Sequence, residues 1–379
     1  MRVPATIKVG LVSVIALSGS LVAGGVASAD YAPQAGDVVS VGGDTPQFEL
    51  SFLANGDFNG NAGFNSSGAF NRLVPFDATA DANGRSAYAN GSTLASPINL
   101  NPTVVYRAGT YPVQRNSSSG NALTAFLADT NGYLNFISST TLPTSAQQTA
   151  AGNKGWGYLH VVQIADDAVK IATTTTTNAP ANLSTDTLLK IYTGVYTTWN
   201  QIPGNSGGSG DTIIPLVPPT SSAIYKSLLA DLKTANGNVT PTLSGSVRTV
   251  EQNDPSALTS ASTPADAIVP FSVARLALYN SSYFHNPATV YPGGSAISAG
   301  ITVANSGWSS PIHDYVIFRQ SDVASTTPFE PGGTRNWIQT LFSNPTGTTP
   351  LVASAAGQAL IASAGKTPNY NDLGNVSAG

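Results

Sequence analysis

The stretch IIPLVPPTSSAIYKSLLADL, residues 213–232, reads as a strand, a sharp turn and a helix. Pro218 and Pro219 sit in the turn. Ile224, Tyr225, Leu228, Leu229 and Leu232 then recur at helical spacing and mark one buried face. Thr220, Ser221 and Ser222 stand where the helix begins. A hydroxyl there caps the helix by accepting a backbone N–H. The same place suits an anion, because free N–H groups and the positive end of the helix dipole point outward. The strand–turn–helix order makes this an α/β unit.

Similar units lie on either side. NLSTDTLLKIYTGVYTTWNQI (182–202) gives a short helix capped by Ser184, with Leu188, Leu189 and Tyr192 facing inward and Gly194 ending it. Its aromatics Tyr192, Tyr196 and Trp199 read as core. Upstream, DVVSV (37–41) is a strand, followed by GGDTPQFELSFL, where Thr45 is placed to cap a helix and Pro46 to open it. PTVVYRA (102–108) is a strand, and RNSSSGNALTAFLAD then offers a Ser-rich turn and a helix with Leu123, Phe126 and Leu127 on one face. LHVVQI (159–164) and VKIAT (169–173) read as two buried strands, with Asp166-Asp167 as the solvated turn between them. As strand neighbours these two carboxylates would point to opposite faces, which excludes an acid/base dyad.

Downstream, DAIVPFSVARLALYN (266–280) reads as another buried strand, DYVIFRQ (314–320) as a strand, and TRNWIQTLFS (334–343) as a helix. AAGQALIASAG (355–365) is a last helix closed by Gly365. NSGGSGD (205–211) reads as a flexible surface loop, as do the Gly/Asn stretches between 55 and 97.

Residues 1–29 read as a signal peptide. Arg2 and Lys8 precede an apolar run, and Ala27-Ser28-Ala29 fits a small-residue cleavage site, so the mature chain is expected to start at Asp30 and to be secreted. The chain has no cysteine, which removes disulfides, thiolate chemistry and a lipid-anchor cysteine. Its three histidines are far apart, so no metal and no cofactor is expected. Charged residues are only 9% and the net charge is −4, which leaves no electrostatic footprint for nucleic acid. Hydrophobic residues at 41% can still fill a sizeable core, and the length suits two lobes.

Three helix starts carry hydroxyls: Thr45, then Ser117 to Ser119, then Thr220 to Ser222. If they converged they would form an oxyanion pocket of N–H and O–H donors. Arg115, just before the second start, could add a charged fork. Catalysis finds no support, since no Gly-x-Ser-x-Gly elbow with His and acid partners is present.

At LSTDTLLKIYTGVYTTWNQI (183–202) the chain resembles the substrate-binding proteins of phosphate ABC transporters, which carry a similar helix–Gly–turn–Trp-Asn segment. GGDTPQF resembles the family's Gly-rich turn with Thr, and RNSSSGNALTAFL its Ser-Ser-Gly helix start. GYLNFISSTTLP resembles its DFGASDAPL-like strand end, and DAIVPFSVARLALYN its GAIGY-type return. Agreement is strongest with diverged actinobacterial relatives.

The resemblance implies a two-lobe, periplasmic-binding-protein-like fold (a type II Venus flytrap) with a double crossover near Val161–Ala172 and Ala267–Arg275. Lobe 1 would be 30–162 with 275–379, and lobe 2 would be 163–274. It implies a monomer that captures a small anion such as phosphate for an ABC transporter permease, with no catalysis.

The ligand loop departs from the family's Arg…Gly-Ser-Gly-Thr. The arginine position falls on Pro218 or Pro219, Ser222 keeps the serine, and Ala223 and Ile224 replace Gly-Thr. The pocket aspartate, which takes the proton of hydrogen phosphate, falls on Thr140. The expected oxyanion set is Thr45, Arg115, Ser118, Ser119, Thr140, Ser221 and Ser222. Each lost charged hydrogen bond costs about 1.5–3 kcal/mol. A second reading therefore stands beside the first: a secreted bilobal scaffold with a degenerate site, serving as a surface interaction or adhesion protein.

Overall fold

The computed structural model describes residues 31–78, 103–116, 118–281, 300–303, 307–344 and 347–378. The expected leader, Ser117 and residues 79–97 of the Gly/Asn-rich loops lie outside them. The strands are β1 (Val38–Gly42), β2 (Leu73–Pro75), β3 (Thr103–Val104), β4 (Val113–Gln114), β5 (Phe136–Ser139) and β6 (Leu159–Thr174). They continue as β7 (Ile214–Val217), β8 (Arg248–Thr249), β9 (Ala267–Ser272), β10 (Ile301–Thr302), β11 (Ser309–Arg319) and β12 (Thr367–Asn375). The helices that matter below are α1 (Gln47–Asn55), α2 (Ser119–Ala128), α3 (Thr185–Tyr192), α4 (Ala223–Ala235), α5 (Val273–Asn280), α6 (Trp337–Leu341) and α7 (Ala355–Ser363).

Ten strands form one mixed sheet in the order β2-β1-β5-β11-β6-β9-β7-β8, with β10 and β12 also on β6. β1 runs parallel to β2 and β5, and β7 runs parallel to β8 and β9. These two parallel blocks are α/β units of the kind the sequence announced. Between them run β6 and β11, antiparallel to each other along almost their whole length. β5 meets β11 over Tyr315–Phe318, while β9 meets β6 over Val169–Ala172. One block therefore docks at each end of the long pair. The 16 residues of β6 span roughly 50 Å at about 3.3 Å each.

The helices start where side chains end the strands. Ser222 caps α4 and Ser184 caps α3 through their hydroxyls, as their positions before apolar periodicity predict. Gly194, at φ 80°, takes the left-handed turn after α3. Tyr192 and Trp199 are fully buried beside Leu188, Ile213, Ile224 and Leu228, so the aromatics are core, with Tyr196 packed against them.

Several readings change. The strand expected over 102–108 shortens to β3, and Leu73–Pro75, within the stretches expected as loops, forms β2. The segment 266–280 is a strand only to Ser272; the Ser272 hydroxyl accepts the Arg275 N–H at 2.9 Å and starts α5. The helix expected over 334–343 shortens to α6, because Asn336 and Gln339 form a reciprocal capping box. Thr45 caps nothing: α1 begins at Gln47, Pro46 holds the cap position, and no side chain caps that end.

The Asp166-Asp167 turn does not exist. Both residues lie within the single strand β6, and their carboxylates turn to different partners. Asp166 accepts from Gln163, His313 and Asn369. Asp167 is buried. It accepts from Ser272 Oγ at 2.5 Å and the Ala274 N–H at 3.0 Å, and Lys366 Nζ lies 3.1 Å away. Lys366 Nζ is also 2.8 Å from Asp314, at the register shift of β11, and Glu49 of α1 is buried beside them. Three buried carboxylates thus surround one ammonium between the two parallel blocks. Burial and the Asp314 charge push Glu49 well above the usual carboxylate range, and burial raises Asp314 despite Lys366. Four buried groups of this kind fit together only when the carboxyl side retains a proton.

β12 is held along β6 by a second pair. His160 Nε2 lies 2.6 Å from Asp372 Oδ1, and its Nδ1 is 2.7 Å from Gln320 Oε1. Ser343 Oγ donates to the other Asp372 oxygen. Burial alone would lower the His160 pKa, but the bonds to Asp372 and Gln320 outweigh it and the net shift is upward. Burial would raise Asp372, but its bonds from His160 and Ser343 outweigh that and the net shift is downward. The His160 contribution is complete below its ordinary 6.5 and is lost as pH rises through the raised folded value. The Asp372 contribution is complete above its ordinary 3.8 and is lost as pH falls through the lowered folded value. The melting-temperature gap between wild type and His160→Gln is therefore expected to be widest from about pH 4 to 6.5 and to narrow at higher pH. A gap independent of pH would show that the imidazole is neutral.

Candidate functional site

β1 ends in a tight turn, Gly42-Gly43-Asp44-Thr45, that faces the start of α2. A methyl group on Gly43 would sit 2.9 Å from Ser119 Oγ and 3.1 Å from the Ser119 backbone nitrogen. Glycine is what allows the two backbones to approach this closely. Gly42 is packed in the same way against the Ser138 hydroxyl. Ser118 caps α2, its Oγ accepting the Asn121 N–H at 3.3 Å. Ser119 Oγ accepts the Thr140 N–H at 3.1 Å and lies 3.4 Å from Thr140 Oγ1. Three segments thus meet: the turn after β1, the start of α2 and the end of β5. They bring Gly43, Ser118, Ser119 and Thr140 into one hydroxyl-rich cradle at a helix N-terminus. Ser118 and Ser119 are nearly buried, so the cradle is sheltered from bulk water.

The other expected residues are placed differently. Thr45 is buried next to the cradle, but its hydroxyl accepts from Gln252 Nε2 at 3.2 Å. Arg115 is buried and donates through Nη1 to the Asp77 carbonyl at 3.0 Å, so part of its fork holds the chain after β2. Ser222 uses its hydroxyl on the Tyr225 N–H of its own helix at 3.3 Å. Ser221 is exposed. The cradle therefore draws on Ser118, Ser119 and Thr140. Thr45 joins a neighbouring network, and the α4 turn keeps to itself.

That network was not foreseen. Asp44 is buried, and its carboxylate accepts from Gln252 Nε2 and from Asn253 Nδ2 at 3.0 Å. Arg275 Nη2 donates to the Asp44 carbonyl at 2.8 Å and lies 3.8 Å from the carboxylate. The guanidinium also stacks over the Phe48 ring at 4.4 Å. One signal was legible: Arg275 interrupts an apolar run, and a buried arginine needs a partner. Nothing in the spacing pointed to Gln252 or Asn253.

Two surface cavities lie outside the cradle itself. One of 460 Å³ is walled by Trp156, Trp337, Arg319 and Asp322, and one of 300 Å³ by Tyr31, Arg72 and Asp77. Among the described residues, no group of three His, Asp or Glu side chains could hold a metal ion, and no helix is long and apolar enough to cross a membrane.

A family model described as "PBP superfamily domain" matches residues 78–343. No curated protein matches the chain. Among solved structures, an ABC-type phosphate transport receptor from Vibrio cholerae is 12% identical, with 87% of this chain and 99% of that one covered and a TM-score of 0.45. A phosphate-binding protein from Stenotrophomonas maltophilia is 14% identical, with 88% and 90% covered and a TM-score of 0.45. A high-affinity periplasmic phosphate-binding protein bound with phosphate is 14% identical, with 88% and 90% covered and a TM-score of 0.49.

Proposed function

The chain belongs to the PBP superfamily, and from that premise we propose that it captures phosphate or a related tetrahedral oxyanion, without catalysis, for an ABC transporter permease. The observation that carries the reading is the cradle: Ser118, Ser119 and Thr140 gathered at the buried start of α2, with Gly43 packed close. Helix-start N–H groups and hydroxyls hold an anion mainly by hydrogen bonds. Arg115 lies three residues before the cap, where its charge adds to the same field.

In this reading the parallel block at each end of β6 is one lobe, with lobe 1 at 30–162 and 275–379 and lobe 2 at 163–274. The β6 and β9 crossovers act as the hinge, and closure buries the ligand. One apolar cluster gathers Val169, Trp199, Ile224 and Ile312, another gathers Val39, Phe126, Ile137 and Val161, and the third joins Phe136 and Phe342 to Ile214 and Val269 across the proposed boundary. Cleavage after Ala29 would release the chain as a secreted monomer.

Equilibrium dialysis with radiolabelled phosphate, on protein stripped of bound ligand, tests the reading. Wild type is expected to bind, and Ser118→Ala to bind more weakly by about 1 kcal/mol, roughly fivefold. Absence of binding at millimolar phosphate sinks the transport role. It would leave the adhesive scaffold, which the self-contained α4 turn favours, since Ser222 there serves only its own helix.

A further inference from the structure

The Asp44 carboxylate is surrounded by the donor set that recognises oxyanions: a guanidinium, two primary amides and a hydroxyl. Gln252 and Asn253 reach it from 208 and 209 residues away, and the Arg275 guanidinium, which donates to the Asp44 carbonyl, stands 3.8 Å from the carboxylate as its counter-charge. The Thr45 hydroxyl lies 3.4 Å from its Oδ1. The Asn253 amide is fixed in orientation, because its Oδ1 accepts the Ser272 N–H at 3.1 Å and so its Nδ2 must face Asp44. Arg275 is fixed by the Asp44 carbonyl and the Phe48 ring. Asn253 and Arg275 are thus held in place by groups other than the carboxylate they serve, and Gln252 by the Thr45 hydroxyl as well as by the carboxylate. Such a site keeps its shape when its anion leaves, which is the property of a binding site rather than of a plain salt bridge.

We infer that Asp44 is a built-in ligand: its carboxylate fills a small-oxyanion site made by Gln252, Asn253 and Arg275, and holds that site shut against carboxylates and phosphate from solution. The site adjoins the hydroxyl cradle, because Gly43 touches Ser119 and Asp44 is the next residue. An external oxyanion in the cradle therefore meets the Asp44 charge, and one entering the amide–guanidinium site must displace it. An intramolecular group competes at a high effective concentration, so the internal anion wins at ordinary solute levels. This deepens the oxyanion reading above and rests on it for the adjoining site's ligand class.

The test uses Asp44→Ala and Asp44→Asn in the full chain, titrated with inorganic phosphate and with formate at constant ionic strength in chloride. Melting temperature and dialysis with radiolabelled phosphate are the readouts. Asp44→Ala is expected to melt lower than wild type, to regain stability with either anion, and to bind phosphate at least roughly tenfold more tightly than wild type. Adding Arg275→Met should abolish both gains. If Asp44→Ala does not fold, Asp44→Asn decides: it leaves the Arg275 charge unbalanced, so phosphate must raise its melting temperature more than that of wild type. Equal anion responses in wild type and variants overturn the inference. Wild type that fails to bind phosphate, beside an Asp44→Ala that gains binding, overturns the transport reading and leaves the built-in ligand standing.

Discussion

Lys366→Met is expected to cost about 3–5 kcal/mol, the usual penalty for stripping one partner from a buried charge group. Against a total stability of about 5–15 kcal/mol that is a large share. The reason is the count of charges around the lysine. Asp167 and Asp314 lie 3.1 and 2.8 Å from Nζ, and Glu49 is buried in the same cluster. Methionine fills similar volume but leaves the carboxylates without a counter-charge. The loss should depend on pH in a definite sense. Glu49 and Asp314 have raised folded pKa values, so their protonated forms favour the fold, and stability falls as pH rises through those values. The Lys366→Met variant should therefore recover toward wild type as the medium is acidified. Adding Glu49→Gln and Asp314→Asn should restore part of the stability at neutral pH, because the charges needing compensation are gone. Urea unfolding of the single and triple variants reads all of this; a single-variant loss under about 1 kcal/mol would show that the cluster is solvated.

Trp199→Ala should cost about 3–5 kcal/mol, in the range for removing a large buried aromatic. The ring is fully buried, and its Nε1 donates to Asp266 Oδ1 at 2.8 Å. Asp266 is also buried and takes a second donor, Asn178 Nδ2, at 2.9 Å. Trp199→Phe keeps most of the ring volume and loses only that donor, which places it at about 1–3 kcal/mol. The expected order in denaturant midpoint is wild type, then Phe, then Ala. A Phe variant as unstable as the Ala variant would mean that the hydrogen bond to Asp266, not the packed ring, dominates.

Local order was legible in the sequence and distant pairing was not. Ser184, Ser222 and Ser118 were readable as helix starts because a hydroxyl before an apolar stripe is a short-range signal, and all three cap. Tyr192 and Trp199 were readable as core for the same reason. Asp166-Asp167 misled because two adjacent carboxylates ordinarily mean solvent. Here Asp167 is neutralised by Lys366, 199 residues away, and no local pattern announces that. Thr45 had the right residue type and the right neighbour in Pro46, yet its hydroxyl answers to Gln252, 207 residues away. In the candidate site, the Ser118–Ser119 half could be found by inspection, while Asp44 and its donors depend on the tertiary fold.

The position of β6 also sets the order in which the molecule can be finished. Its N-terminal half is flanked by β11 and β12: Gln163 meets His313 150 residues later, and His160 meets Asp372 212 residues later. As the chain is synthesised, β6 emerges with both edges of that half unpaired and stays so until the last strands appear. Contacts this distant in sequence make for slow folding, because long loops must close before the pairing rewards them. Until then a long apolar strand offers open edges to other chains. Completion waits on residues 367–375, so a chain halted before them would present an aggregation-prone half-sheet.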